Sequence, residues 1–198
     1  MIEGRLRSLL LEELKEQGFA YRDVNEIFEQ KVLEPVEVEI ILKYLREMYS
    51  EKVATADILA RSLIAAKRAF DPSLLIDLFE NSDLNFHLKS GIGIALSYAK
   101  TDDISAWMKD RLLNRPFDNT NYSLLHGLFK KGGFIHVEEY MRFIKKIFDK
   151  YHNETILKSF AKYGNAEDMK FLQEAAEHAD VQLKREINKV LKKKSGKV

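Results

Sequence analysis

The chain has 198 residues, of which 45% are hydrophobic and 32% charged, enough apolar side chains to bury a continuous core in one domain or one short repeat array. Its 32 Lys and Arg nearly balance its 31 Asp and Glu, so net charge alone recruits neither nucleic acid nor a membrane surface. The absence of Cys excludes disulfides, thiol nucleophiles and thiolate metal sites. With no apolar leader or membrane-spanning stretch in the sequence, the expected compartment is the cytoplasm.

The apolar periodicity predicts an all-α protein of about twelve helices joined by short polar segments. Gly18 and the Gly132-Gly133 pair are typical helix ends, and Pro35 and Pro72 mark helix starts or breaks. The helices are expected at 5–17, 21–32, 35–49, 55–70, 74–80, 85–100, 104–113, 121–131, 137–150, 153–163, 167–178 and 181–193.

Apolar positions recur along the chain at a fixed step of 32 residues. Such a step is typical of repeat arrays, because each helix pair can bury its apolar face only against its neighbours. A globular bundle of twelve helices is the alternative, but it places no demand on residues 32 apart. The recurring positions are Ala60, Ile92, Leu124 and Ile156; Ile64, Leu96, Leu128 and Phe160; and Ile76, Met108, Tyr140 and Leu172.

The joint between helix pairs resembles that of short HEAT repeats of the PBS-lyase type. The segments 94–103 (IALSYAKTDD) and 158–167 (KSFAKYGNAE) share small residues, one large apolar residue, a break and then an acid. Asp71, Asp103 and Glu167 hold this acid at one step and are expected to cap the following helix.

The resemblance covers residues 53–193. It implies a right-handed α-α superhelix, or solenoid, of about six antiparallel helix pairs, with residues 1–198 as one domain. Residues 1–5 are expected to be a tag remnant or a frayed N-terminus, and residues 194–198 a frayed tail.

Charge differs between the two helices of each pair. In the last five pairs the second helices carry 15 Lys and Arg against 3 Asp and Glu, whereas the first helices sum to a net charge of about −8. The resemblance to HEAT arrays implies that second helices line the concave face, which would then be basic and attract anionic partners. The alternative is that this asymmetry reflects helix-end preferences and solubility.

Seven residues are candidates for binding on this concave face. At 100° per residue, side chains such as His87 and Tyr98 point away from the buried face of their helix. Counting 32 and 64 residues on from this outward face leads to lysines and a histidine on the second helices of the following pairs. Aromatic residues interleaved with Lys suit binding of nucleic acids or acidic peptides. The candidates are His87, Tyr98, Tyr122, His126, Lys130, Lys158 and Lys162.

Motifs for catalysis are weak. The five His are scattered without an HExxH motif, and neither a metal nor a cofactor is expected. Trp107 and Asp110 lie three residues apart, like the aromatic and carboxylate of some HEAT-like DNA alkylation-repair glycosylases, but they fall on a first helix. The sequence therefore predicts a non-enzymatic binding or scaffold module for a protein or other anionic partner. The alternatives are a nucleic-acid-binding protein related to those glycosylases and an inhibitor of the immunity or antitoxin type.

Overall fold

The computed structural model describes residues 2–81, 83–117 and 120–196 and is all-α in these ranges, with twelve α-helices, two short 3₁₀ helices and no strand. None of the helices in these ranges combines the length and the apolarity needed to cross a bilayer. The 3₁₀ helices are Leu63–Ala65 and Glu154–Ile156. The α-helices are α1 Ile2–Glu16, α2 Val24–Phe28, α3 Pro35–Ser50, α4 Thr55–Ser62, α5 Ser73–Glu80, α6 Phe86–Tyr98, α7 Ser105–Asn114, α8 Asn121–Lys130, α9 Val137–Tyr151, α10 Leu157–Tyr163, α11 Ala166–His178 and α12 Val181–Ser195.

Two predicted helices are much shorter than expected. Of the helix expected at 21–32, only α2, Val24–Phe28, is helical. It begins after Asp23, and the Asp23 carboxylate accepts hydrogen bonds from backbone N–H groups in its first turn. The helix expected at 55–70 ends as an α-helix at Ser62, and its last part is extended. There the backbone of Leu33 pairs with that around Ala66 in an isolated parallel bridge. Hydrogen bonds to a neighbouring loop therefore replace the helical ones.

Ten of the twelve positions at 32-residue steps are buried. Ala60, Ile92, Leu124 and Ile156 are fully buried, as are Leu96, Leu128 and Phe160. The prediction is wrong at Ile64, which is 41% exposed, while Leu63 is buried in its place. The cause is the 3₁₀ segment at Leu63–Ala65, because three residues per turn rotate the side chains away from the α-helical register. In the third set Met108, Tyr140 and Leu172 are buried and Ile76 is half-buried.

Two of the three acids expected to act as caps do so. Asp71 and Asp103 each accept a hydrogen bond from the backbone N–H two residues later, at the start of α5 and α7. The prediction for Glu167 is wrong. Asn165 and Asp168 cap α11 reciprocally instead, each side chain accepting the other residue's backbone N–H. This capping box pairs two backbone N–H groups at the start of the helix, and Glu167 remains exposed in the first turn.

Helices α4, α6 and α8 pack side by side at very short range. Two glycines permit this approach. A Cβ on Gly91 would lie 2.7 Å from the backbone oxygen of Asp57 in α4, and one on Gly127 would lie 2.5 Å from the Cα of Ser97 in α6. Ser97 is consequently buried. The close contact keeps the C-terminal ends of α6 and α8 adjacent.

The backbones of α8 and α10 stay farther apart than those of α6 and α8, and aromatic rings fill the space between them. We call Phe129, Phe134, Tyr140 and Tyr163 the aromatic seam. Phe129 lies 4.9 Å, between ring centres, from both Tyr140 and Tyr163. The hydroxyl of Tyr140 is 3.0 Å from that of Ser159, and these two buried groups form a hydrogen bond. Side chains rather than close backbones therefore join these helices.

Candidate functional site

Six of the seven candidate residues lie together on α6, α8 and α10. Tyr98 ends α6, and the residues of α8 and of α10 follow one another at steps of four, so each set lies on one face of its helix. Contacts described below add Tyr163, which sequence reasoning missed. We call the assembly the tyrosine–lysine cluster: Tyr98, Tyr122, His126, Lys130, Lys158, Lys162 and Tyr163.

Each of two tyrosines in the cluster carries a lysine from the next helix over its ring. The Nζ of Lys130 on α8 is 4.8 Å from the ring centre of Tyr98 on α6. The Nζ of Lys158 on α10 is 4.5 Å from the ring centre of Tyr122 on α8. Such cation–π contacts are worth about 0.5–1 kcal/mol at exposed sites. The same pairing therefore occurs at two successive helix boundaries.

Lys162 stands beside Tyr163, its neighbour in the chain. Its Nζ is 4.9 Å from the Tyr163 ring centre. Hydrogen bonding to the Tyr163 hydroxyl, followed by charge interactions with the same phenol and those of Tyr122 and Tyr98, raises the pKa of Lys162. Burial raises the pKa of Tyr98 and of Tyr122, so these phenols remain protonated near neutral pH. The only sequence signal for Tyr163 is its place directly after a candidate lysine.

The surroundings of His126 favour its neutral form. Burial is the main cause that lowers its pKa, and the charges of Lys162, Lys130 and Lys158 lower it further. Its ring meets Tyr122 edge to face, with the centres 5.7 Å apart. Within the described residues its buried Nδ1 has no hydrogen-bond partner. His126 therefore contributes a neutral aromatic ring and an unpaired polar atom to a basic surface.

The lysines of the cluster have no acidic partner among the residues that the structure describes. In the described part of the chain, Lys130, Lys158 and Lys162 form no ion pair, and all three are exposed. Elsewhere lysines do pair, as Lys43 does with Glu13 at 2.6 Å. Three cations close enough to act on one imidazole, with no ion pair in ranges 2–81, 83–117 and 120–196, produce a positive potential at this surface.

Other lysines of the second helices have a structural role. The Nζ of Lys131 donates to the carbonyl oxygen of Ala99 at 2.9 Å and to the hydroxyl of Thr101 at 2.7 Å. The Nζ of Lys194 donates to the carbonyl oxygen of Gly164 at 2.8 Å. Both satisfy backbone carbonyls at the C-terminal end of the preceding second helix. Helix-end preferences therefore explain part of the excess of positive charge on the second helices. They do not explain the three lysines of the cluster.

His87 is not part of the cluster. It lies at the N-terminal end of α6, exposed, with its ring 5.6 Å from that of Phe86. Eleven residues of helix separate it from Tyr98, which corresponds to about 16 Å along the axis. The outward direction inferred from the sequence is right, but the distance along the helix removes His87 from the other candidates.

Trp107 and Asp110 make ordinary helix contacts. Trp107 is half-buried and meets Phe79 edge to face at 6.0 Å between ring centres. Asp110 accepts a hydrogen bond of 2.7 Å from the side chain of Asn114, one turn later on α7. Among the residues that the structure describes, no three His, Asp or Glu side chains are grouped so that they could hold a metal ion.

Comparisons of the chain with models of protein families, with curated proteins and with solved structures found no match. The geometry and charge of the tyrosine–lysine cluster are therefore the basis for inferring function.

Proposed function

We propose that this protein is a non-catalytic binding module that holds an anionic macromolecular partner on the tyrosine–lysine cluster. The observation that carries this proposal is the set of three exposed lysines, from α8 and α10, that stand over or beside tyrosine rings without ion pairs in the described residues. A surface that gathers like charges without neutralising them attracts and orients partners of opposite charge.

The state of His126 supports an anionic partner. The three lysines act on its imidazole strongly enough to help lower its pKa, as expected where the local potential is positive. A bound anion would relieve this repulsion between cations. The same potential argues against the alternative of a nuclease inhibitor of the immunity type, which would need an acidic surface to replace the nucleic acid.

The proposed architecture is a HEAT-like array whose second helices form the binding face. It is supported by the buried positions at steps of 32 residues and by the close packing of α4, α6 and α8. The exposed area also supports it. The protein exposes 11163 Å², whereas a compact domain of 23.0 kDa would expose about 9600 Å². An excess of roughly a sixth is expected of an elongated arrangement.

The proposal is tested with heparin, a linear polyanion, at low and moderate salt. We expect binding that weakens as salt rises, and a loss of about tenfold or more in the double variant Lys130→Glu/Lys162→Glu, since two favourable charges become repulsive. The matched control is Lys146→Glu/Lys170→Glu, the same charge change at exposed positions of α9 and α11.

The two double variants separate a local effect from a general one. Equal losses in both would show that heparin senses only overall charge, and the cluster would not be a binding site. No binding by the wild-type protein would refute the proposal. Thermal unfolding of each variant checks the fold, since exposed substitutions usually change stability by less than about 0.5 kcal/mol.

A further inference from the structure

We infer that the anionic partner is a single-stranded nucleic acid, with bases stacked on the rings of the tyrosine–lysine cluster and phosphates paired with its lysines. This inference rests on the proposed function and narrows it to one class of ligand. It is carried by the arrangement of rings and cations across three neighbouring helices.

Rings and cations alternate along the cluster. The Tyr98–Lys130 pair lies where α6 meets α8, and the Tyr122–Lys158 pair lies where α8 meets α10. Tyr122 and Lys130 are eight residues apart on α8, about 12 Å along its axis, so the two pairs are separated along the helices as well as across them. A ligand matching both must present flat apolar groups and anionic groups in alternation. The nucleotide repeat, one base and one phosphate per unit, has this composition.

The rings are covered by ammonium groups when no ligand is bound, and a nucleic acid can replace these contacts. A lysine that turns from the ring to a phosphate exchanges a cation–π contact for a charge-assisted hydrogen bond. The uncovered ring then accepts a base. Stacking on an aromatic side chain is worth about 5- to 150-fold in affinity per base, against about 2- to 5-fold for an exposed cation–π contact. The exchange favours binding.

Stacking selects single strands over duplexes. In a duplex the faces of the bases are already stacked on one another, so side-chain rings reach them only after unpairing. Tyr98, Tyr122 and His126 are half-buried in helix faces and cannot insert between base pairs as long wedges do. A duplex would meet only the lysines. The rings should therefore add affinity for single strands alone.

An acidic peptide would use the same lysines differently. Its carboxylates would pair with Lys130, Lys158 and Lys162, but they provide no flat group for the rings. Phenol hydroxyls could still donate to carboxylates, so a peptide would depend on the hydroxyl groups, whereas a base depends on the rings. Replacing Tyr98 by Phe keeps the ring and removes the hydroxyl, and this substitution separates the two ligands.

The experiment measures fluorescence anisotropy of a labelled dT oligonucleotide of about 15 nucleotides, within the site sizes known for single-strand binders. A duplex of equal length, a polyglutamate peptide and heparin are compared under the same conditions. For the single strand we expect at least about fivefold tighter binding than for the duplex. Three phosphate contacts predict a log–log salt slope near −2, or about a 20-fold loss between 50 and 200 mM salt.

Variants assign the two contributions. Tyr98→Ala should weaken single-strand binding by about 5- to 150-fold and leave duplex binding unchanged, whereas Tyr98→Phe should stay within about threefold of wild type. Phe28→Ala is the control, because Phe28 is 47% exposed but lies on α2, away from the cluster. Lys158→Ala, an exposed substitution that leaves the core intact, should reduce the salt slope by about 0.7.

Several results would overturn the inference. Equal affinity for single strand and duplex, or a wild-type affinity in Tyr98→Ala, would exclude base stacking at this site. An unchanged salt slope in Lys158→Ala would exclude the proposed pairing of this lysine with a phosphate. If heparin or polyglutamate binds and Lys130→Glu/Lys162→Glu abolishes that binding while the oligonucleotide fails to bind, the proposed function stands and the nucleic acid is wrong. If no polyanion binds, both are wrong.

Discussion

Gly127 is the position where a single methyl group should disturb the contact between α6 and α8. An ideal Cβ placed on Gly127 lies 2.5 Å from both the Cα and the Cβ of Ser97. These atoms belong to a packed helix and cannot swing aside as the end of a long side chain does. The variant Gly127→Ala therefore has to push α8 away from α6.

The size of the effect follows from two opposing contributions. Alanine in place of glycine in a helix stabilises by about 1 kcal/mol. Overpacking a tight contact costs about 1–3 kcal/mol, and a clash with backbone belongs at the upper end. The expected net destabilisation is about 1–2 kcal/mol, or a melting temperature lower by about 2–8 °C for a chain of this size. The control is Gly4→Ala in α1, where no atom lies within 4 Å of the added Cβ, so up to about 1 kcal/mol is gained.

Urea denaturation and calorimetry of both variants provide the test. If Gly127→Ala is as stable as Gly4→Ala, the helices are not in the close contact described and the reasoning fails. The displacement also separates Lys130 from Tyr98, since these residues lie on the two helices involved. Gly127→Ala should therefore weaken polyanion binding even at temperatures where the protein remains folded.

Three further predictions concern the core, the pH dependence and catalysis. Leu96 is fully buried, so Leu96→Ala should cost about 2–5 kcal/mol in urea denaturation; a cost below about 1 kcal/mol would mean that it does not belong to the core. The pKa of His126 is lowered from its ordinary value of 6.5 in the folded protein, so the unfolded chain binds more protons below that pH. Stability should fall as pH drops through about 6.5 and level off below the folded pKa, and His126→Gln should lose this part of the dependence; identical pH profiles for the two proteins would contradict it. Because Trp107 and Asp110 make ordinary helix contacts, we expect no base release from alkylated DNA, and release that is lost in Asp110→Asn would show that the protein is an enzyme.

The fold was predictable where one physical requirement governed it. Burial at a fixed step identified the core because a helix that packs against neighbours must keep the same positions apolar. The step failed at Ile64, where the 3₁₀ segment Leu63–Ala65 leads directly into the pairing of Ala66 with Leu33. That pairing joins segments far apart in sequence and leaves no local signal. The predicted cap at Glu167 was wrong because Asn165 and Asp168 form a capping box at the start of α11.

The candidate site was predictable as a set of positions but not as a set of contacts. A helical step of four and a repeat step of 32 residues place side chains on one face, and this located Lys130 and Lys162. These steps contain no information on distance along a helix axis. His87 points outward as predicted, but it lies too far along α6 from Tyr98 to belong to the cluster. Nor do the steps show that rings fill the space between α8 and α10, or that Tyr163, one of these rings, carries the Nζ of Lys162 at 4.9 Å from its centre.

The aromatic seam has a consequence for cooperativity in unfolding. In a chain whose helices contact mainly their neighbours, unfolding spreads through each interface in turn, and the weakest interface divides the chain into separate cooperative units. We expect this boundary between α8 and α10, where the contact consists of rings such as Phe129 and Tyr163 without the close backbone contact found at Gly127. Amides of α9 to α12 should accordingly exchange with solvent hydrogen through openings that leave α4, α6 and α8 protected.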